Sequence, residues 1–187
     1  MIFPLFRRSA RPDTISALYG MIVAQARLPC FYRDYAVADT INGRFDLIVL
    51  HLALVLNRVA QDPAWRTLGQ KLFDRFCQDM DHNLREMGVG DLTVPKEMRR
   101  MGEAFYGRTQ AYQAALAVAD DGRALVETVA RNIYGGSPSG PAAAARLAAY
   151  IRVAVGDLKA QDPAQLGRRR AAPAGPQRHP CDHRIRS

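Results

Sequence analysis

Apolar positions recur at helical spacing along almost the whole chain. In "PDTISALYGMIVAQARLP", Ile15, Leu18, Ile22 and Ala26 fall on one face, which predicts a helix from Asp13 or Thr14 to Pro29. "CFYRDYAVADTING" breaks the period and reads as a loop or short turn ending at Asn42-Gly43. A helix from about Arg44 to Gln61 follows. Phe45, Ile48, Val49, Leu52, Leu56 and Val59 form its stripe, while Leu47, Leu50 and Leu54 fill other faces. A helix apolar on most sides is expected at the centre of the fold.

Asp62-Pro63 supplies an N-cap with proline at the first helical position. The helix it opens places Trp65, Leu68, Leu72, Phe73, Phe76, Met80, Leu84 and Met87 on one face. Another starts near Val94-Pro95 and shows Met98, Met101, Phe105, Tyr112 and Leu116 at compatible spacing. Asp120-Asp121-Gly122 breaks it, "RALVETVARNIYGG" makes a shorter helix, and "SPSGP" precedes an alanine-rich last helix, "AAAARLAAYIRVAVGDLKAQ". No strand pattern, repeat or Rossmann-type alternation interrupts the series. The expectation is an all-α fold of about six helices in one domain over 11–165, between a flexible segment 1–10 and a disordered arginine-rich tail 166–187.

The joint between the third and fourth helical patterns, "LREMGVGDLTVPKEMRRMGEAFYGR", raises the question of a phosphate loop. Such loops need a preceding strand and a GxxxxGK or GxGxxG spacing, and both are absent here. Gly88 instead suits the left-handed residue that ends a helix, and Gly90 eases the turn. Gly102 and Gly107 fall inside the next helix, where each costs about 1 kcal/mol against alanine. Close approach by another segment, inside the domain or from a partner, is the expected compensation.

Charge changes the picture mainly at one end. The net charge is +8, of which residues 167–187 supply +5 from six arginines and one acid. A Pro-, Gly- and Arg-rich tail of this kind builds no core and is suited to ribosomal RNA or anionic lipid, or to solvent alone. No specific DNA contact is expected. Three cysteines without a CxxC spacing argue against a disulfide framework and a zinc site, and fit a reducing compartment. The longest apolar run, "LIVLHLALVL", is ten residues interrupted by His51, against the 20 or so that a membrane span requires. The expected location is cytoplasmic, peripheral to the inner membrane.

Candidate chemistry is sparse. Asp79, His82 and Glu86 share a helical face, which suits a divalent ion or a solvated charged surface, and no HExxH or paired ExxH motif favours the ion. His51 is expected to be a hydrogen-bonded core histidine rather than a haem ligand. His179, Cys181 and His183 in the tail lack a supporting shell for metal. No catalytic constellation is recognisable, so neither enzymatic activity nor a cofactor is expected. From residue 79 to 108 six acids and five bases nearly cancel. A mixed-charge rim around Met, Phe and Tyr suits polypeptide recognition better than nucleic acid.

"LPCFYRDYAVADTINGRFDLIVLHLALVLNRV" followed by "FDRFCQDMDHNLREMGVGDLTVPKEMRRMGEAFYGRTQAY" resembles the ubiquinol–cytochrome c chaperone family, closely over about residues 26–118. These are assembly factors for respiratory complex III. The resemblance implies an all-helical, non-enzymatic protein that binds newly made cytochrome b before haem insertion and subunit joining. Mitochondrial members work with a small partner protein and associate with the ribosome near the tunnel exit. The chain's short N-terminus is expected of a compact bacterial member, with its termini resting on an anionic membrane surface. The matching exposed polar positions, expected to contact a partner, are Asp39, Arg44, Asp79, Arg85, Glu86, Gly90, Asp91, Lys96, Tyr106 and Arg108. An Arg85–Asp91 pair would act instead as a brace. Charge reversal at Arg85 or Arg108 is expected to abolish client binding while leaving the melting temperature nearly unchanged. The competing readings are a haem- or quinone-binding helical protein and an RNA- or ribosome-associated protein acting through its tail.

Overall fold

The structure, a computed structural model, describes residues 12–135 and 140–161. The expectations placed on segment 1–10, on the tail and on His179, Cys181 and His183 lie outside the described residues. Among the described residues seven α-helices follow one another: α1 (Pro12–Ala26), α2 (Pro29–Arg33), α3 (Ile41–Ala60), α4 (Arg66–Glu86), α5 (Val94–Ala117), α6 (Arg123–Ile133) and α7 (Gly140–Ala160). Six of these are long and α2 is a single turn, and no strand forms among the described residues.

α3 occupies the centre and packs on α1, α4, α5, α6 and α7. The reason is its sequence: residues 46–55 are buried on every face, as expected for a helix apolar nearly all round. Ile15, Leu18, Ile22 and Ala26 of α1 are all buried against this core. On α4 the predicted stripe holds at Leu68, Leu72, Phe76, Met80 and Leu84, but Met87 is left exposed.

The segment expected to be a loop or short turn is more helical than that in two ways. Pro29 at the start of α2 turns the chain into one helical turn, burying Cys30 and Phe31. Thr40, rather than Arg44, marks the start of α3, because its Oγ1 accepts the Gly43 N–H at 3.1 Å. Asn42-Gly43 therefore lies in the first helical turn. The strap before it is fixed by Val37 N–H donating to Phe31 O at 3.0 Å and Tyr134 hydroxyl donating to Tyr35 O at 2.6 Å.

Caps match the sequence elsewhere. Asp62 accepts the Ala64 N–H at 2.9 Å, opening a 3-10 turn (Pro63–Trp65) that runs into α4. Asp120 accepts from Gly122 and Ala124 N–H groups at 2.7 and 2.9 Å at the start of α6. Arg58, in the last turn of α3, donates to Leu158 O at 3.0 Å and Gln161 O at 3.1 Å, satisfying carbonyls at the end of α7.

Candidate functional site

Two antiparallel helices, α4 and α5, carry most of the positions singled out by the sequence. Their joint is built by backbone chemistry. Gly88 adopts φ +80°, its N–H donates to Arg85 O at 2.9 Å, and Val89 N–H donates to Leu84 O at 3.0 Å. This pair of bonds is the Schellman termination, which needs a left-handed residue and so favours glycine. Thr93 and Val94 N–H groups then return to Gly90 O at 2.8 and 3.1 Å. Arg85 donates to Asp81 at 2.8 Å and also to Asp91 across the joint. The expected brace therefore forms. All three side chains are well exposed, so it sets geometry more than stability.

Burial divides sharply within this joint. Val94 is buried and anchors it, whereas Leu92 is 98% exposed and Met87 54% exposed. Farther along the hairpin, five rings from α3, α4 and α5 make a continuous ladder: Phe45, Phe76, Phe105, Phe73 and Tyr106, with neighbouring centroids 5.1 to 6.3 Å apart. Phe76 and Phe105 at its middle are in the core, Phe45 and Phe73 are half-buried, and Tyr106 is 57% exposed. Ion pairs frame these apolar groups: Arg99–Glu103 at 3.0 Å and His82–Glu86 at 3.1 Å, the latter charged only when the imidazole is protonated. Lys96, exposed in the first turn of α5, has no ion-pair partner among the described residues.

The remaining predicted positions divide by partner. Asp39 and Arg44 pair with each other at 2.8 Å at the start of α3. Asp79 turns inward and accepts the Tyr19 hydroxyl at 2.9 Å, tying α4 to α1, with Arg75 stacked 5.4 Å from the same ring. Asp79, His82 and Glu86 do not converge, and no group of three metal-ligating side chains is found among the described residues. Arg108 reaches Asp46 Oδ1 at 2.8 Å and lies 5.6 Å over Phe45. Arg108 is therefore a link between α5 and α3, so charge reversal there acts on the fold as well as on the surface.

Asp46 was not among the expected residues. The signal was present: it is the one acid of the central helix and directly precedes its apolar run, which is a costly place for a carboxylate without a partner. Burial pushes its pKa up to about 6, with the Arg108 guanidinium opposing the shift. His51 is the core histidine that its setting implied. Nδ1 lies 2.7 Å from Leu47 O, the carbonyl one turn back, and Nε2 lies 2.9 Å from the Tyr150 hydroxyl, which also accepts from Gln25 at 3.2 Å. A neutral ring donating through Nδ1 and accepting at Nε2 satisfies both bonds. Burial lowers its pKa to about 4. With both nitrogens engaged and Phe31 and Tyr150 packed against the ring, no lone pair remains for an iron.

Gly102 and Gly107 lack one of the two compensations expected of them, close approach by another described segment of the domain. Among the described residues a Cβ at either position meets nothing within 4 Å, so no contact with them explains the glycine. Gly107→Ala is expected to raise stability by about 1 kcal/mol and Tm by about 3 °C. Thermal denaturation by circular dichroism checks this, and a fall in Tm would show that the position is constrained from within.

The family described as Ubiquinol-cytochrome C chaperone matches residues 33–172. Ubiquinol-cytochrome-c reductase complex assembly factor 1 from Xenopus laevis is 26% identical over 146 residues, which cover 78% of this chain and 72% of that protein. Among solved structures, the Cbp3 homolog from Brucella abortus is 40% identical, with a TM-score of 0.75 over 89% of this chain and 93% of the other.

Proposed function

Since this chain belongs to the ubiquinol-cytochrome C chaperone family, whose members assist assembly of respiratory complex III, we propose that it holds newly made cytochrome b before haem insertion and that the α4–α5 hairpin is the holding surface. The observation that carries this reading is the exposure of Leu92, Tyr106 and Met87 on one helical hairpin, inside a rim of paired charges. A polytopic membrane protein leaves the ribosome with long apolar segments that aggregate unless covered. Met, Leu and Tyr on a helix surface cover such segments through adaptable contacts, and the neutral rim adds no like-charge barrier. The work is holding rather than catalysis.

Gly102 and Gly107 fit the same reading. They border Tyr106 on α5, and their missing Cβ atoms let another helix backbone come close. The arginines of residues 167–187 give that segment a net charge of +5, which would draw the protein to ribosomal RNA or anionic lipid near the emerging client. Among the described residues no helix is long and apolar enough to cross a membrane.

Site-specific photo-crosslinking tests the surface. A crosslinker at Leu92 or Tyr106, in ribosome-bound translation of cytochrome b, is expected to capture the nascent chain, and one at Ala149 on the outer face of α7 is not. Equal capture from all three positions, or none from the hairpin, would remove the hairpin as the client surface. Gly107→Ala is expected to keep its stability gain yet lower the crosslinking yield from Tyr106.

A further inference from the structure

Every buried side-chain nitrogen or oxygen that lacks a hydrogen-bond partner among the described residues belongs to one of four residues: Asp46 Oδ1, Thr109 Oγ1, the Tyr112 hydroxyl and Asn132 Nδ2. They come from α3, α5 and α6, helices that pack on one another. Thr109 and Tyr112 are three residues apart and so share a face of α5. Tyr112 is only 1% exposed. Its phenol feels Asp46, Arg108 and Asn132, and the Asn132 amide lies beside it without completing a well-aligned bond. Likewise Arg108 sits 2.8 Å from Asp46 Oδ1 as an ion pair, but not in hydrogen-bond alignment. Native interiors rarely leave even one such group unmet, and four in one locality call for a common partner.

The chemistry of the four atoms restricts that partner. Asp46 Oδ1 accepts, the two hydroxyls donate or accept, and the Asn132 amide nitrogen donates. A cation is opposed by the Arg108 guanidinium, and an anion by the Asp46 carboxylate. What remains is a small neutral molecule able both to donate and to accept. We propose that the seam between α3, α5 and α6 is a built site for ordered water, bridging Asp46, Thr109, Tyr112 and Asn132. Buried waters of this kind make about three hydrogen bonds each and are retained because removing them strands polar groups. The site lies on the helix that carries Tyr106, so α5 is joined to the core partly through a link that water can re-form after a small shift.

The test combines a crystal structure of the full chain, at a resolution that orders water, with melting of two near-isosteric variants, Tyr112→Phe and Thr109→Val. The proposal expects an ordered peak within about 2.7–3.2 Å of at least two of the four atoms. It also expects a Tm lower by several degrees in Tyr112→Phe, because loss of the hydroxyl strands both the water and Asn132. Thr109→Val should fall in the same direction. A direct Tyr112–Asn132 hydrogen bond with no ordered water in the seam overturns the proposal. So does a rise in Tm in both variants, the sign expected when a truly unpartnered hydroxyl is replaced by an apolar group.

Discussion

Replacing Arg108 by methionine is expected to destabilise the fold by about 2–4 kcal/mol at pH 7, a large share of a domain's stability. Methionine keeps an apolar stem on the Phe45 ring, so the loss isolates the charge. Its partner Asp46 is 10% exposed at the side chain and would be left buried without a counter-charge. The pH dependence gives the result a signature. The folded pKa of Asp46, about 6, stands above its ordinary 3.8. A raised carboxyl contributes stability that is complete below pH 3.8 and is lost as pH rises through about 6. Without Arg108 that pKa rises further, so the variant keeps losing stability at higher pH. The gap between wild type and variant should therefore be wide at pH 8 and narrow at pH 5. His51 acts in the opposite sense: its stability is present above 6.5 and lost as pH falls through about 4. Being common to both proteins, it cancels in the comparison. Urea denaturation at the two pH values measures the gap, and a gap independent of pH would remove Asp46 as its cause.

Gly43→Ala is the second large effect, at about 3 kcal/mol of destabilisation. A Cβ there would stand 2.0 Å from Ala38 O and 3.1 Å from its carbonyl carbon. The obstacle is backbone rather than a side-chain tip, so relief requires moving the strap that Thr40 and Val37 hold in place. Ala36 within that strap already has a left-handed φ of 54°, leaving little slack. The same substitution at Gly107 has the opposite expected sign because no described residue stands within 4 Å of a Cβ there. Melting the two variants side by side separates a glycine needed by the fold from one that the fold does not need. A Tm for Gly43→Ala equal to wild type would mean that the strap yields freely.

Local signals in the sequence were sufficient for the helices. The periodic faces of α1, α3 and α4, the Asp62-Pro63 opening and the Gly88 ending all depend on residues within one or two turns, and each forms as expected. Asn42-Gly43 misleads because the pair is common in turns, while the deciding feature is a threonine oxygen three residues before Gly43. Candidate site residues were harder for a different reason. Arg85–Asp91 spans one joint and is legible, but Arg108–Asp46 joins residues 62 apart and Tyr19–Asp79 joins residues 60 apart. A single sequence carries no register between distant helices, so nothing in it separates these internal links from the exposed Lys96 or Tyr106. Exposure of Met87 was likewise invisible: in the one-dimensional pattern it continues the stripe of α4, and only the turn at Gly88 leaves it outside.

The most direct test of the assembly role is reduced-minus-oxidised haem spectroscopy of membranes from a strain lacking the gene, complemented with wild type or with a Leu92→Asp, Tyr106→Asp variant shown to be folded. Loss of the b-type signal of complex III with other cytochromes intact, restored by wild type and not by the variant, is the predicted result. Unchanged spectra and normal complex III activity in the deletion strain would contradict it.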